Sequence, residues 1–372
     1  MTILGLISYR VFPAQMGGQK GIAEWYEFLS RKEKVVIVGT KENTVPTFSF
    51  QQWYSFLENH NSGWRNILHI RKLLHLIRVH KVDVIIIEHS YFGWIGLLLH
   101  LITGKPFLIH SHNIEAHRFK ITGKKWWKIY EVYERWIHSK ARLTLYKCEE
   151  DAAYVKEQWK LKQHLYCIIP FGTRISAAPS QEEKKEARKK ICAAYNIDPS
   201  SCIFLFNGTL DFSPNVSSIN IILHQLIPYL RNKNFNYRII ISGNRADAAM
   251  LKELTAAPEI IFTGFVDDIS LLLKGADAFI NPSSAATGIK TKLVEALANN
   301  TSVICSRSSA RGLHHSYLTN KVQEINDNDI IAFAEAMINI PFNNDSTIAA
   351  SFYKNFYWGN IIDKALLSLR SL

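Results

Sequence analysis

The sequence predicts an α/β fold in two domains, each built on a parallel sheet. Three observations carry this reading. The chain has 372 residues, more than one ordinary core organises, so two domains of about 170 residues each are the natural division. Short apolar runs alternate with segments of helical periodicity in both halves, the order that builds parallel sheets through crossover connections. Residues 281–313, NPSSAATGIKTKLVEALANNTSVICSRSSARGL, then bring one strand end, a loop of small residues, a helix start and the next strand end together. In open α/β sheets that is where a ligand crevice forms.

Composition narrows the classes. Hydrophobic residues make up 47% of the chain, and there is no low-complexity tract and no amino-terminal leader pattern. Five cysteines, Cys148, Cys167, Cys192, Cys202 and Cys305, show no CxxC spacing, which argues against a disulfide framework and a zinc site and makes a reducing cytoplasm the default. The apolar stretch 84–104 is interrupted by Glu88, His89, Ser90 and His100, so it reads as strand, loop and helix rather than a membrane span. The net charge of +12 is uneven: residues 1–172 hold 24 Lys and Arg against 14 Asp and Glu, the remainder 20 against 18. A basic first half favours an anionic partner, whether nucleic acid, a membrane surface or a phosphorylated small substrate. Nucleic acid is the weakest of these, because no recognised module or regular basic-aromatic repeat is present.

In chain order, Ile3 to Ser8 reads as the first strand, followed by a loop with Gly17 and Gly18 and a helix over Ile22 to Leu29. Glycine there lets backbone approach an anion or simply makes a turn, and GGQKG lacks the GxGxxG of a dinucleotide site. Lys34 to Val38 is the second strand, and Lys41 to Asn61 is loop-rich. Trp64 to His80 places Ile67, Ile70, Leu74 and Ile77 on one helical face with Arg65, Arg71, Lys72 and Arg78 elsewhere, a basic amphipathic helix that packs on the core or faces a membrane. Asp83 to Ile87 ends at Glu88, which touches a ligand or is satisfied by backbone amides. Pro106 to Ile109 delivers His110, His112, Asn113 and Glu115 to one loop, where zinc is the minor reading. The Lys124-Lys125-Trp126-Trp127-Lys128 cluster suits an anionic lipid interface, or holds two core tryptophans with solvated lysines. Leu143 to Tyr146 and Cys167 to Ile169 are further strands.

Residues 173–197 are polar and charged and read as a linker between a domain at 1–172 and one at 198–350. Cys202 to Phe206, Tyr237 to Ser242, Ile260 to Phe262, Ala278 to Asn281 and Ser302 to Cys305 read as the second sheet. Ile289, Leu293, Ala296 and Leu297 share one face of the helix that follows the small-residue loop, with Lys292 and Glu295 on neighbouring turns. Residues 351–372 read as a helical segment with Gly359 as a break.

Glu295-Ala296-Leu297-Ala298, with Gly17-Gly18, His112-Asn113, Ile169-Pro170-Phe171-Gly172, Asn207-Gly208-Thr209 and Gly264-Phe265-Val266 in the same order, resembles the nucleotide-sugar glycosyltransferases of family 4, the group 1 glycosyltransferases. The resemblance covers most of the chain. It implies a GT-B fold, two Rossmann-like domains facing a central cleft, the first binding the acceptor and the second the donor, with 351–372 crossing back. It also implies transfer with retention from a nucleotide-diphosphate sugar, without cofactor or metal, to a saccharide or lipid-linked acceptor in cell-surface polysaccharide synthesis. The cysteines and the basic first half, not the resemblance, suggest the setting: the cytoplasm, with an anionic membrane surface as a candidate partner. His112 would lie near the anomeric centre, Gly17 and Gly18 near the diphosphate, Val266 at the base, and Glu295 on the ribose hydroxyls. Thr287 stands where the family has its first Glu. The family's Arg and Lys near Gly208 and Thr209 are missing, and Lys292 and Lys290 replace them, helped by the amides of Gly288 and Ile289, with Arg245 and Arg311 as further cations. A nucleotide-sugar epimerase and a non-catalytic nucleotide-binding protein of the same fold are the alternatives.

Overall fold

The computed structural model describes residues 1–14, 16–45, 52–162, 164–284, 291–313, 318, 321–340 and 346–372. The chain divides into two compact units: Met1–Gly172 with Trp358–Leu372, and Thr173–Tyr357.

The first unit holds a seven-stranded sheet. Its strands are β1 (Thr2–Leu6), β2 (Lys34–Thr40), β3 (Gln52–Leu57), β4 (Val84–Glu88), β5 (Phe107–Ser111), β6 (Leu143–Tyr146) and β7 (Tyr166–Ile168). Their order is β3-β2-β1-β4-β5-β6-β7 and every pairing is parallel. Helices cover both faces of such a sheet, so its central strands are apolar up to their carboxyl ends, as in the fully buried run Val84 to Ile87 that precedes Glu88. The second unit holds β8 (Cys202–Asn207), β9 (Tyr237–Ser242), β10 (Ile260–Gly264), β11 (Ala278–Asn281), β12 (Ser302–Ser306) and β13 (Val322–Ile325), in the order β10-β9-β8-β11-β12-β13 and again all parallel.

Four expectations need correction. The loop-rich region after Lys41 contains edge strand β3, whose mixed exposure hides the alternation a strand shows in sequence. Trp64 to His80 is a 3-10 segment, His60–His69, followed by an α-helix, Ile70–Val79. The change of pitch at this junction moves the buried face to Ile70, Leu73, Leu76 and Ile77 and leaves Ile67 in solvent. Residues 173–197 contain helix Gln181–Tyr195, capped by a reciprocal Ser180–Glu183 box. This helix buries Ala187 and Ile191, and its Arg188 bonds Asp277 at 2.7 Å, so it is an integral part of the second unit. Near the carboxyl terminus the break falls at extended Tyr357, between helices Ala350–Phe356 and Trp358–Arg370, and Gly359 lies inside the latter. Trp358 is fully buried in the first unit, with its Nε1 donating to Glu24 at 2.7 Å.

Candidate active site

In the first unit, the carboxyl ends of β4, β5 and β6 collect a buried chain of ionisable groups. Parallel register sets Glu88 beside His110, and the next inward residue of that loop is His112. Glu88 Oε1 lies 3.1 Å from His110 Nδ1, and Oε2 lies 2.7 Å from His112 Nε2. A carboxylate only accepts, so both facing nitrogens carry the proton. Lys147, one residue past β6, is also buried and sits 2.7 Å from His110 Nε2 and 4.7 Å above the Phe171 ring. Burial, helped by the charge of Lys147 and by neighbouring histidines, holds His110 and His112 well below the usual imidazole range, so both are neutral. Burial also pushes Lys147 down to about 7, against the attraction of Glu88. In this tautomer His112 Nδ1 keeps a bare lone pair, and it has no partner among the described residues. Glu88 is therefore satisfied by two imidazoles, not by backbone amides.

Glu88, His110 and His112 also form a group with metal-ligating atoms within 4.8 Å of one another. Those atoms are already engaged in hydrogen bonds, and an ammonium group stands on the far side of His110. The arrangement fits a proton-ordered network better than a cation site.

A second layer supports the first. His89, held at φ 61°, stacks on His112 with ring centroids 4.4 Å apart and meets Glu115 through Nδ1 at 2.8 Å. Burial opposes ionisation of Glu115, but bonds from His89, Arg118 and Tyr91 outweigh it and keep the carboxylate charged. Glu134 accepts the backbone N–H groups of Glu115 and Ala116 at 3.0 and 2.9 Å, yet burial and the Glu115 charge push it up to about 8. Sequence reasoning missed Lys147, His89 and Glu134; the one signal for Lys147 was a cation directly after an apolar run.

Gly17 and Gly18 begin helix Gly17–Ser30 rather than lying wholly in a loop, and a Cβ on Gly18 would meet open space. Gly21 on this helix is packed so closely that a Cβ would lie 2.4 Å from Phe171. Phe171 in turn lies 6.0 Å from the His112 ring, so the glycine-led helix and the histidine loop meet through one aromatic side chain.

In the second unit, Lys292 on helix Thr291–Ala298 reaches the end of β8. Its Nζ donates to the Asn207 carbonyl at 2.9 Å and to Asn215 Oδ1 at 2.8 Å, and it lies 4.3 Å from the Phe206 ring centroid. Asn215 Nδ2 bonds the Thr209 carbonyl at 2.9 Å, and a Cβ on Gly208 would collide with Asn215. Lys292 thus lies against the turn that holds Gly208 and Thr209. Glu295 follows one turn along the same helix, half-buried. Loops after β11 and β12 are stitched by Ser306 and Ser309, both donating to the Ser283 carbonyl at 2.8 Å. Arg311 is half-buried just beyond. Arg245 pairs with exposed Asp211 at 3.5 Å beside the β8 loop, and Val266 is half-buried after β10. Thr287, Gly288, Ile289 and Lys290 lie outside the described residues.

Two Rossmann-like domains, one on a seven-stranded and one on a six-stranded parallel sheet, match the GT-B class of fold. Residues 17–176 match the family described as Glycosyltransferase Family 4, and residues 201–341 match Glycosyl transferases group 1. The chain belongs to this family of retaining enzymes and transfers a sugar from a nucleotide-sugar donor. No curated protein matches it in sequence. Among solved structures, it is similar to Anabaena HepE in complex with UDP (15% identity, TM-score 0.73, covering 100% of both chains). It is also similar to sucrose-phosphate synthase from Thermosynechococcus elongatus (16%, 0.71, 100% of this chain and 99% of that). A third likeness is to the lipopolysaccharide outer core galactosyltransferase WaaB (13%, 0.63, 100% and 99%). At these identities the likeness shows the fold.

Proposed function

We propose that the chain moves a sugar from a nucleotide-diphosphate donor, without a metal ion, to a saccharide or lipid-linked acceptor in cell-surface polysaccharide synthesis. The observation that carries the donor half is Lys292, a cation delivered onto the Asn207–Thr209 turn with Glu295 one helical turn away. The bond from the anomeric carbon to the diphosphate oxygen breaks as charge grows on the leaving phosphate, and a fixed ammonium stabilises that charge more than it stabilises the ground state. The acceptor oxygen forms its bond on the same face, and its proton passes to the departing phosphate oxygen. Glu295 accepts from the two ribose hydroxyls, Val266 offers backbone to the base, and the glycines at 17 and 18 leave room for the diphosphate and acceptor. Lys290, Arg245 and Arg311 are the further phosphate cations, and Thr287, Gly288 and Ile289 keep the donor-binding roles that the family resemblance implies. His112, neutral and with Nδ1 bare, accepts a hydrogen bond from a sugar hydroxyl and orients the sugar rather than attacking it.

A UDP-type donor is favoured by the HepE structures in complex with UDP and with UDP-glucose, and a lipid-linked saccharide acceptor by the likeness to an outer core galactosyltransferase. The test is a panel of nucleotide sugars incubated with and without candidate acceptors. Transfer that requires acceptor supports the reading; an epimerised donor formed without acceptor sinks it. Within that assay Lys292→Ala lowers turnover more than donor affinity, whereas Glu295→Gln weakens donor binding in calorimetry without unfolding the protein. Equal behaviour to wild type in either case removes that residue from the site.

A further inference from the structure

The helix Trp127–Lys140 buries Ile137 but otherwise packs against its composition. It buries the ionisable Glu134 and His138, 1% and 0% exposed, and presents Ile129, Val132 and Trp136 to solvent at 75%, 71% and 45%. These three fall at spacings of three and four, one stripe on the outward face. Lys125, Lys128, Arg135 and Lys140 border the stripe and are exposed. Of the two acids on the helix, Glu134 is internal and Glu131 accepts from Tyr154 at 2.7 Å. Just before the helix, Trp126 is also exposed, its ring tilted against Phe119 with centroids 4.5 Å apart.

Other helices of the first unit also expose apolar side chains. Helices Ile70–Val79, Gly93–Thr103 and Trp127–Lys140 contribute to one core cluster against β1, β2, β4 and β5, so they cover the same face of the sheet. Helix Gly93–Thr103 exposes Leu101 and Ile102, and the 3-10 segment His60–His69 exposes Trp64 and Leu68. Residues 59–82 and 89–114 contain no Asp or Glu, while 59–82 alone contain Arg65, Arg71, Lys72, Arg78 and Lys81.

We infer that this helical layer is the surface by which the first unit docks on an anionic lipid bilayer. Apolar side chains flanked by long cationic ones, with acids excluded, are what an interfacial helix lying in the headgroup plane needs: the stripe enters the acyl boundary and the lysines meet lipid phosphate. A twofold contact with a second copy would set this cationic face against itself. Nucleic acid would satisfy the lysines and leave Ile129 and Val132 with nothing to bury against. The inference stands on the packing of these helices and holds whatever the acceptor of the transfer reaction is.

Flotation of the full chain tests it, with vesicles of phosphatidylcholine alone or mixed with phosphatidylglycerol. The wild type floats with the anionic vesicles only, and added salt weakens the binding. A variant carrying Ile129→Ser, Val132→Ser and Trp136→Ser, all surface changes that leave the core intact, loses flotation. A variant with Lys124, Lys125 and Lys128 changed to Ala binds about fivefold more weakly per residue removed. Transfer to a soluble acceptor, measured in parallel, stays unchanged in both variants, which separates docking from catalysis. Absence of flotation by the wild type overturns the proposal, as does equal flotation by the serine variant. So does a concentration-dependent dimer abolished by the serine changes without any vesicle binding, which would assign the face to self-association.

Discussion

Glu88 decides which nitrogen of His112 is bare. Because a carboxylate only accepts, Nε2 must carry the proton and Nδ1 faces away as an acceptor. In Glu88→Gln an amide N–H replaces one acceptor, which favours reversal of one imidazole and turns Nδ1 into a donor. The expected outcome is a fall in kcat of about tenfold or more with donor affinity retained, checked by steady-state kinetics beside calorimetry; unchanged kcat removes His112 from the reaction. Lys147 makes a separate prediction through pH. Its proton is lost at about 7 in the fold, against an ordinary value of 10.5, so between these values the unfolded chain binds more protons. Stability from this group therefore rises with pH across that window. The melting temperature of wild type minus that of Lys147→Met should climb from pH 7 towards pH 10. The subtraction cancels Glu134, whose raised value of about 8 works in the opposite direction, its contribution being lost as pH rises. A flat difference would show that Lys147 does not lose its proton early.

At the scale of the element, helix Trp127–Lys140 separates what a side chain is from where it sits. Ile137 is fully buried, its Cγ1 lying 2.3 Å from where a Cβ on Gly93 would stand, so Ile137→Ala should cost about 2–5 kcal/mol through lost burial and the cavity left behind. Ile129→Ser, on the outward face, should change stability by no more than about 0.5 kcal/mol. Urea unfolding of the two variants checks this; equal losses would mean that the helix presents another face to the core. The short 3-10 segment before helix Ile70–Val79 shows the same point, since its apolar Leu68 is outside and its polar Asn66 is inside, bonding the backbone of Glu58 in both directions.

For the whole molecule, the last segment matters most. Trp358–Leu372 returns to the first unit after the chain has built the second, with Trp358 bonded to Glu24 and Arg370 to Glu33 at 2.6 Å. Trp358→Ala should destabilise the first unit by about 3–5 kcal/mol. Hydrogen exchange should then quicken in β1 to β7 while β8 to β13 keep their protection. Uniform acceleration in both sheets would show that the two units unfold as one. Among the described residues no helix is long and apolar enough to cross a membrane.

Much of the fold was legible locally. Central parallel strands are buried on both faces, so each is an unbroken apolar run such as Val84 to Ile87, and helices betray themselves by period; the Glu295-Ala296-Leu297-Ala298 run and its ordered companions identified the family. Edge strands β3 and β13 were missed because one side of each lacks a neighbour and their side chains are mixed. The Glu88–His110–His112–Lys147 chain could not be read, because it joins three strand ends that only parallel register brings side by side. Nor could the outward turn of Ile129, Val132 and Trp136. Periodicity reports that a helix has two faces, but the choice between them belongs to the partners: Ser90 and the amides of Glu115 and Ala116 hold Glu134 inside, and those contacts exist only once the sheet has formed.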